Sequence, residues 1–304
     1  TQNPAAMAGD RRLLLRLGYL GSFFVIMLYF YGWDKLQHSK SGKVKYLKNL
    51  LVDDTHGIIY CYIPKVACSN WKKVMFVLKQ SEPYRDPMSK YPMFLCHKPQ
   101  LPLFLKKLVP FQIDSLKHYT KFLFVRDPFV RIISAYRDKL QRPNKLFLEN
   151  FALDIIRRYG NQSDPPRSVD EAFASGLSPS FHNFIQYLVD PKTENSGPFE
   201  PHWRQMHRLC HPCHIQYDFI GHQETLQEDA EQLMKLLMLK GYIKFPPSYV
   251  NMTSSNSVLD WFRTVPVEDR RKLYKLYESD FRLFGYRKPD ELLDGFEVMA
   301  TSQQ

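Results

Sequence analysis

Apolar residues along the chain change their spacing several times, and each change marks an element. The first run, Leu17–Trp33 (LGYLGSFFVIMLYFYGW), is apolar on every side and holds no charge. With Leu13, Leu14 and Leu15 before it, the stretch 13–33 is just long enough, at ~1.5 Å per residue, to cross a bilayer as one helix. Its aromatic end (Tyr29, Phe30, Tyr31, Trp33) suits a membrane–water boundary, and no small-residue cleavage site follows it. From about residue 50, short apolar strands alternate with amphipathic helices. Ile58–Ile63 reads as a strand stopped by Pro64. A helix over 69–80 then carries Trp71, Val74, Met75 and Leu78 at helical spacing. A second strand, Lys121–Val125, runs into Asp127 as a cap, Pro128 at the first helical position and a helix over 130–140. Ser168–Glu171 forms a capping box. A third strand, Asp218–Gly221, leads to an acidic-fronted helix around 224–239, and a last helix after Pro266 carries Leu273, Leu276, Tyr277 and Phe281. Such alternation predicts an α/β fold, a central parallel sheet flanked by helices.

Charge divides along the same lines. Of 304 residues, 42 are Lys or Arg and 31 are Asp or Glu, a formal charge of +11. Residues 1–50 hold eight basic and two acidic residues, net +6, which leaves only +5 for the other 254. A nucleic-acid partner loses its support, because the excess flanks the apolar run and no nucleic-acid-binding module is present. The organisation expected is a cytoplasmic tail (1–12), a signal-anchor helix in the lipid bilayer (13–33), a short stem (34–50) and one lumenal domain (51–304). Basic residues lie on both sides of the span, but long domains translocate largely regardless of them. Glycosylation acceptors at Asn161 and Asn251 fit a lumenal, type II placement.

Two segments carry chemistry. In Tyr62–Lys72 (YIPKVACSNWK) a strand passes through a Pro-Lys turn into a helix opened by Ser69 and Asn70. Free N–H groups at a helix start bind anions, and Lys65 adds a mobile charge. A Walker loop is absent, which disfavours an ATPase; an ordinary strand–helix turn with a solvated Lys65 is the other reading. In Val125–Tyr136 (VRDPFVRIISAY), Arg126 leaves the end of a strand, where ligands of open α/β sheets bind, and Ser134 follows two helical turns on. Arg131, between them, is either a further donor or a surface charge.

In this order and spacing, the two segments resemble the nucleotide site of sulfotransferases. Further segments narrow the likeness to the Golgi carbohydrate sulfotransferases: Val52-Asp53-Asp54 with His56-Gly57, Tyr84–Pro87, Phe184–Leu188, Leu209–Cys213, Phe245–Tyr249 and Leu273–Tyr277. The resemblance covers roughly 50–292, with a poor match over 88–115, where Cys96 and His97 lie. It implies a P-loop-like sulfotransferase fold and 3′-phosphoadenosine 5′-phosphosulfate as co-substrate, with no metal. Pro64, Lys65, Val66, Ala67, Cys68, Ser69, Asn70 and Trp71 would hold the 5′-phosphosulfate; Arg126 and Ser134 would hold the 3′-phosphate. It also implies a chondroitin or dermatan acceptor, sulfated on the 4-OH of N-acetylgalactosamine, or another Golgi glycan ending in N-acetylgalactosamine or glucuronate.

Sulfuryl transfer needs a cation for the leaving group and a base for the attacking hydroxyl. Lys65 fits the first role. His202, in Phe199–Trp203, is the choice for the second, with Glu200 and His97 in reserve and a structural histidine as the alternative; Trp203 beside it would stack on a sugar. Lys72, Lys73, Arg137, Arg142 and Arg204 are expected on a basic rim facing a polyanion. Cys61, Cys68, Cys210 and Cys213 fit the family pattern and allow three pairings in an oxidising lumen. Cys210-x-x-Cys213 among histidines has no second pair at zinc-finger spacing. A type II glycosyltransferase would usually show Asp-x-Asp, which is missing. A non-enzymatic glycan-binding membrane protein would not explain two phosphate-type loops.

Overall fold

A computed structural model describes residues 49–80, 82–89, 106–107, 117–160, 168–247 and 255–294. The expected tail and anchor, all but the end of the stem, Asn161, Asn251, Cys96 and His97 lie outside the described residues. Among the described residues, no helix is long and apolar enough to cross a membrane.

Five strands form one sheet: β1 (Leu50–Asp53), β2 (Ile58–Cys61), β3 (Lys106–Lys107), β4 (Thr120–Val125) and β5 (Phe219–His222), in the order β3-β1-β2-β4-β5. The sheet is mixed, which corrects the all-parallel expectation. β2, β4 and β5 run parallel, whereas β1 is antiparallel to both β2 and β3. The cause is the connection between Asp53 and Ile58, too short for a crossover, so β1 and β2 close as a hairpin. Gly57 supplies the left-handed backbone of that turn (φ 63°). Leu50, placed at the end of the stem by its sequence, is the first residue of β1.

Among the helices are α1 (Cys68–Leu78), α2 (Pro128–Tyr136), α3 (Leu153–Tyr159), α4 (Val169–Ala174), α5 (Phe181–Val189), α6 (Met206–Cys210), α7 (Leu226–Leu236), α8 (Ser255–Arg263) and α9 (Val267–Leu283). α2 does not run on to residue 140; it ends at Tyr136 and widens into a π-helical turn, Arg137–Gln141. The Asp127 cap read from the sequence holds, accepting from the N–H groups of Phe129 and Val130 at 2.9 Å each, and Ser168 makes its half of the expected capping box, accepting from Glu171 N–H at 3.1 Å.

Two cores result. One joins the strands to α1, α6 and α7, with Trp71 packed on Tyr60, Phe122, Phe124 and Phe245. The other joins α2, α5, α8 and α9 around Trp203, Phe262 and Tyr277. The C-terminal ends of β2 and β4, with the loops that leave them, lie where the two cores meet. One disulfide forms, Cys61–Cys210, and Cys68 and Cys213 are free thiols, so none of the three two-bridge pairings is complete.

Candidate active site

Beyond β2 the chain turns sharply before entering α1. Lys65 and Ala67 both adopt left-handed backbone (φ 70° and 44°), a rare state for residues with a Cβ. Ala67 is the N-cap of α1 yet has no side-chain acceptor to offer, and its carbonyl takes the N–H groups of Asn70 and Trp71 at 3.0 and 3.2 Å. The N–H groups of Val66, Ala67, Cys68 and Ser69 have no acceptor among the described residues. Four successive free donors at a helix start, beside a lysine, form a cradle for an anion. Val66, Asn70 and Trp71 are buried, and the Trp71 indole belongs to the core. Within the expected stretch Pro64–Trp71, the groups available to a ligand therefore narrow to the Lys65 side chain, the 66–69 amides and the half-buried side chains of Cys68 and Ser69.

Arg126 follows β4 and turns its guanidinium to the same loop, donating to the Lys65 carbonyl at 3.2 Å. Burial works against its charge, and Glu224 and Asp127 oppose that effect. Glu224 in turn accepts from Asp127 N–H (3.0 Å) and from the Tyr286 hydroxyl (2.9 Å). Ser134 lies half-buried on α2. Arg131 is neither a ligand donor nor a surface charge. It is buried, and its guanidinium donates to the carbonyls of Pro64 (3.0 Å), Arg204 (2.7 Å) and Pro201 (2.9 Å). One planar group thus ties the Lys65 loop to the segment that carries His202.

Lys65 Nζ lies 3.1 Å from Asp138 Oδ2, and Lys139 Nζ reaches the same oxygen at 3.1 Å. Burial pushes the Lys65 ammonium below the ordinary lysine range, and the Asp138 carboxylate resists that push. Burial acts to raise Asp138 as well, but the two lysines prevail and hold it below the usual carboxylate range. Lys139 also stands over the Phe147 ring at 5.2 Å, and that ring makes a T-shaped contact with His202, centroids 5.6 Å apart.

His202 Nδ1 pairs with the Glu200 carboxylate at 2.8 and 2.9 Å, and Nε2 has no partner among the described residues. A carboxylate on Nδ1 favours the tautomer that leaves Nε2 as proton acceptor. The neighbouring Trp203 has no free face for a sugar, because it is fully buried and Tyr277 donates its hydroxyl to the Trp203 carbonyl. Of the expected basic rim, Lys73 is buried with its ammonium near Met88 Sδ, and Lys72 covers the Tyr62 ring at 3.9 Å. Arg137 and Arg204 are half-exposed and Arg142 is exposed. The structure therefore brings together Lys65, Arg126 and the 199–204 segment. Sequence reasoning missed Asp138 and Lys139, although Asp138 lies four residues beyond Ser134, one helical turn on. No group of three or more metal-ligating side chains occurs among the described residues.

Residues 48–287 match the model of the sulfotransferase family. Carbohydrate sulfotransferase 12 of Mus musculus is 52% identical over 260 residues, which cover 81% of this chain and 62% of that protein. Carbohydrate sulfotransferase 11 of Rattus norvegicus is 40% identical over 253 residues (81% and 69%), and carbohydrate sulfotransferase 9 of Homo sapiens is 32% identical over 264 (84% and 56%). The chain thus spans less than two thirds of the length of the mouse relative. No solved structure matches it.

Proposed function

Because the chain belongs to the sulfotransferase family, we propose that it transfers a sulfuryl group from 3′-phosphoadenosine 5′-phosphosulfate to a glycan hydroxyl, the 4-OH of N-acetylgalactosamine in chondroitin or dermatan. The observation that carries this reading is the cradle of four backbone N–H groups, unpaired among the described residues, beside Lys65 at the carboxyl ends of parallel strands. The donor supplies an activated sulfur and a nucleotide leaving group. The chain supplies the rest. The 66–69 amides and Lys65 take up the charge that grows on the departing oxygen, and Arg126 and Ser134 hold the 3′-phosphate. His202 Nε2 removes the proton of the attacking sugar hydroxyl as its oxygen bonds to sulfur, and Glu200 stabilises the imidazolium formed. The sugar position and the polyanionic acceptor rest on the sequence resemblance, and the named relatives support a carbohydrate acceptor.

Incubation of the chain with labelled donor and desulfated chondroitin tests the proposal. Transfer is expected, with a loss of at least about a hundredfold in Lys65→Ala and Arg126→Ala, since each removes a charge stabiliser. Folded wild-type protein that transfers nothing to any glycan overturns the reading. Transfer indifferent to both substitutions overturns the site. Disaccharide analysis of the product reads the position sulfated, and would reveal a terminal N-acetylgalactosamine or glucuronate acceptor instead. We place the domain in the Golgi lumen behind a single N-terminal anchor. Glycosidase digestion checks this: the mobility shift should disappear when Asn161 and Asn251 are both changed to Gln.

A further inference from the structure

Two ammonium groups meet on one carboxylate oxygen beside the anion cradle. Lys65 belongs to the loop itself; Asp138 and Lys139 come from the π-helical turn that ends α2. Neighbours on an α-helix point about 100° apart, so two adjacent side chains rarely serve one point. The wider turn over 137–141 lets them do so here, and such turns concentrate at functional sites. Lys65 and Lys139 are each 20% exposed and Asp138 35%, a half-dried setting in which ion pairs are screened less than at an open surface.

We propose that Asp138 is a positioning residue that holds the Lys65 and Lys139 ammonium groups side by side, so that both meet the anionic donor. The proposal rests on the sulfotransferase reading for its purpose, and it makes Lys139 a second donor-facing cation. Lys65 is faced by Asp138 and Lys139 from the π turn and by Cys68 from the start of α1. Without the carboxylate, the two ammonium groups would repel each other, and the desolvated Lys65 would release its proton first. A neutral lysine cannot stabilise the leaving group. Asp138 itself, held ionised by two lysines, is a poor proton acceptor for the sugar hydroxyl, which leaves that task to His202.

The test reads Lys65 directly. Lysines of the full chain are reductively methylated with carbon-13, and the Lys65 signal, assigned by its loss in Lys65→Arg, is titrated by NMR. In Asp138→Asn the Lys65 midpoint should move to lower pH; in Lys139→Met, with a like charge removed, it should move to higher pH. Shifts in these opposite directions support the proposal, and an unmoved midpoint in folded Asp138→Asn overturns it. Should that variant not fold, Lys139→Met decides alone: an upward shift supports and no shift overturns. None of this needs turnover, so failure of the sulfotransferase reading would appear separately, as wild-type protein without transfer. In kinetics, Asp138→Asn should lower kcat by about tenfold to a hundredfold through misplacement of the cation and bring the alkaline limb of the profile to lower pH. Asp138→Glu should restore the limb. An equal loss at every pH, with the limb unmoved, would mark a merely structural carboxylate and overturn the proposal.

Discussion

Arg131 shows what a single side chain does for this site. Its three donors satisfy the buried carbonyl of Pro64 and the half-buried carbonyls of Pro201 and Arg204. Arg131→Met keeps the volume of the stem but strands those carbonyls, each at about 1–3 kcal/mol. A loss of about 3 kcal/mol or more in urea unfolding is expected, with Arg131→Lys intermediate because an ammonium lacks the planar fork. A change below ~1 kcal/mol in Arg131→Met would show that the clamp is dispensable. The sequence left Arg131 open because its partners lie some seventy residues away and are main-chain atoms, which no local pattern records. Arg126 and Lys65 were readable for the opposite reason: each sits in a strand–turn–helix segment whose spacing alone places it at a helix start. Trp203 was misread as a sugar platform because aromatic residues look alike in a sequence whether their faces are buried or free.

At the scale of elements, strands followed by helices were readable from period alone, and the boundaries of β2, β4 and β5 shift by only a residue or two. β1 was not, since four residues, Leu50–Asp53, adjoin a polar stretch and show no alternation; pairing with β2 is what makes them a strand. The π turn after α2 was equally hidden, because 130–140 keeps a helical period throughout. Gly221 illustrates how pairing decides tolerance. The sequence puts it at the end of a strand, but it lies within β5 in register with Phe124 of β4. A Cβ at 221 would stand 2.4 Å from Phe124 Cε1. Gly221→Ala should therefore destabilise the domain by about 1–3 kcal/mol, the usual cost of overpacking, seen as a lower melting temperature. Phe124→Leu should recover part of it in the double variant. Ala67, by contrast, invites glycine: its φ of 44° strains any Cβ, and Ala67→Gly should gain up to about 1 kcal/mol. A lower melting temperature for that variant would contradict the strain.

Across the whole molecule, α6 is the link between the two cores. Its N-terminus is held by Asp280 of α9, a fully buried carboxylate that accepts from Met206 N–H (2.7 Å), His207 N–H (2.9 Å) and His207 Nδ1 (2.6 Å). Its C-terminal residue, Cys210, is bonded to Cys61 at the end of β2, across 149 residues of sequence. The disulfide therefore fastens the strand that feeds the Lys65 loop to the helix that follows the His202 segment. A loop of that length is worth up to about 5 kcal/mol of denatured-state entropy on the chain-entropy account. Reduction, or the paired change Cys61→Ala with Cys210→Ala, should lower the unfolding free energy by about 2–5 kcal/mol. Function should respond before the fold does. With α6 still held by Asp280, the sheet core can keep its packing while the two loops lose their covalent tether and are left with the Arg131 hydrogen bonds alone, so transfer should fall under reductant at temperatures where circular dichroism is unchanged. Cys68 and Cys213, already free thiols, cannot account for that loss if a Cys68→Ser, Cys213→Ser protein shows the same sensitivity. Activity that declines only in step with the loss of secondary structure would mean that the bridge serves stability alone.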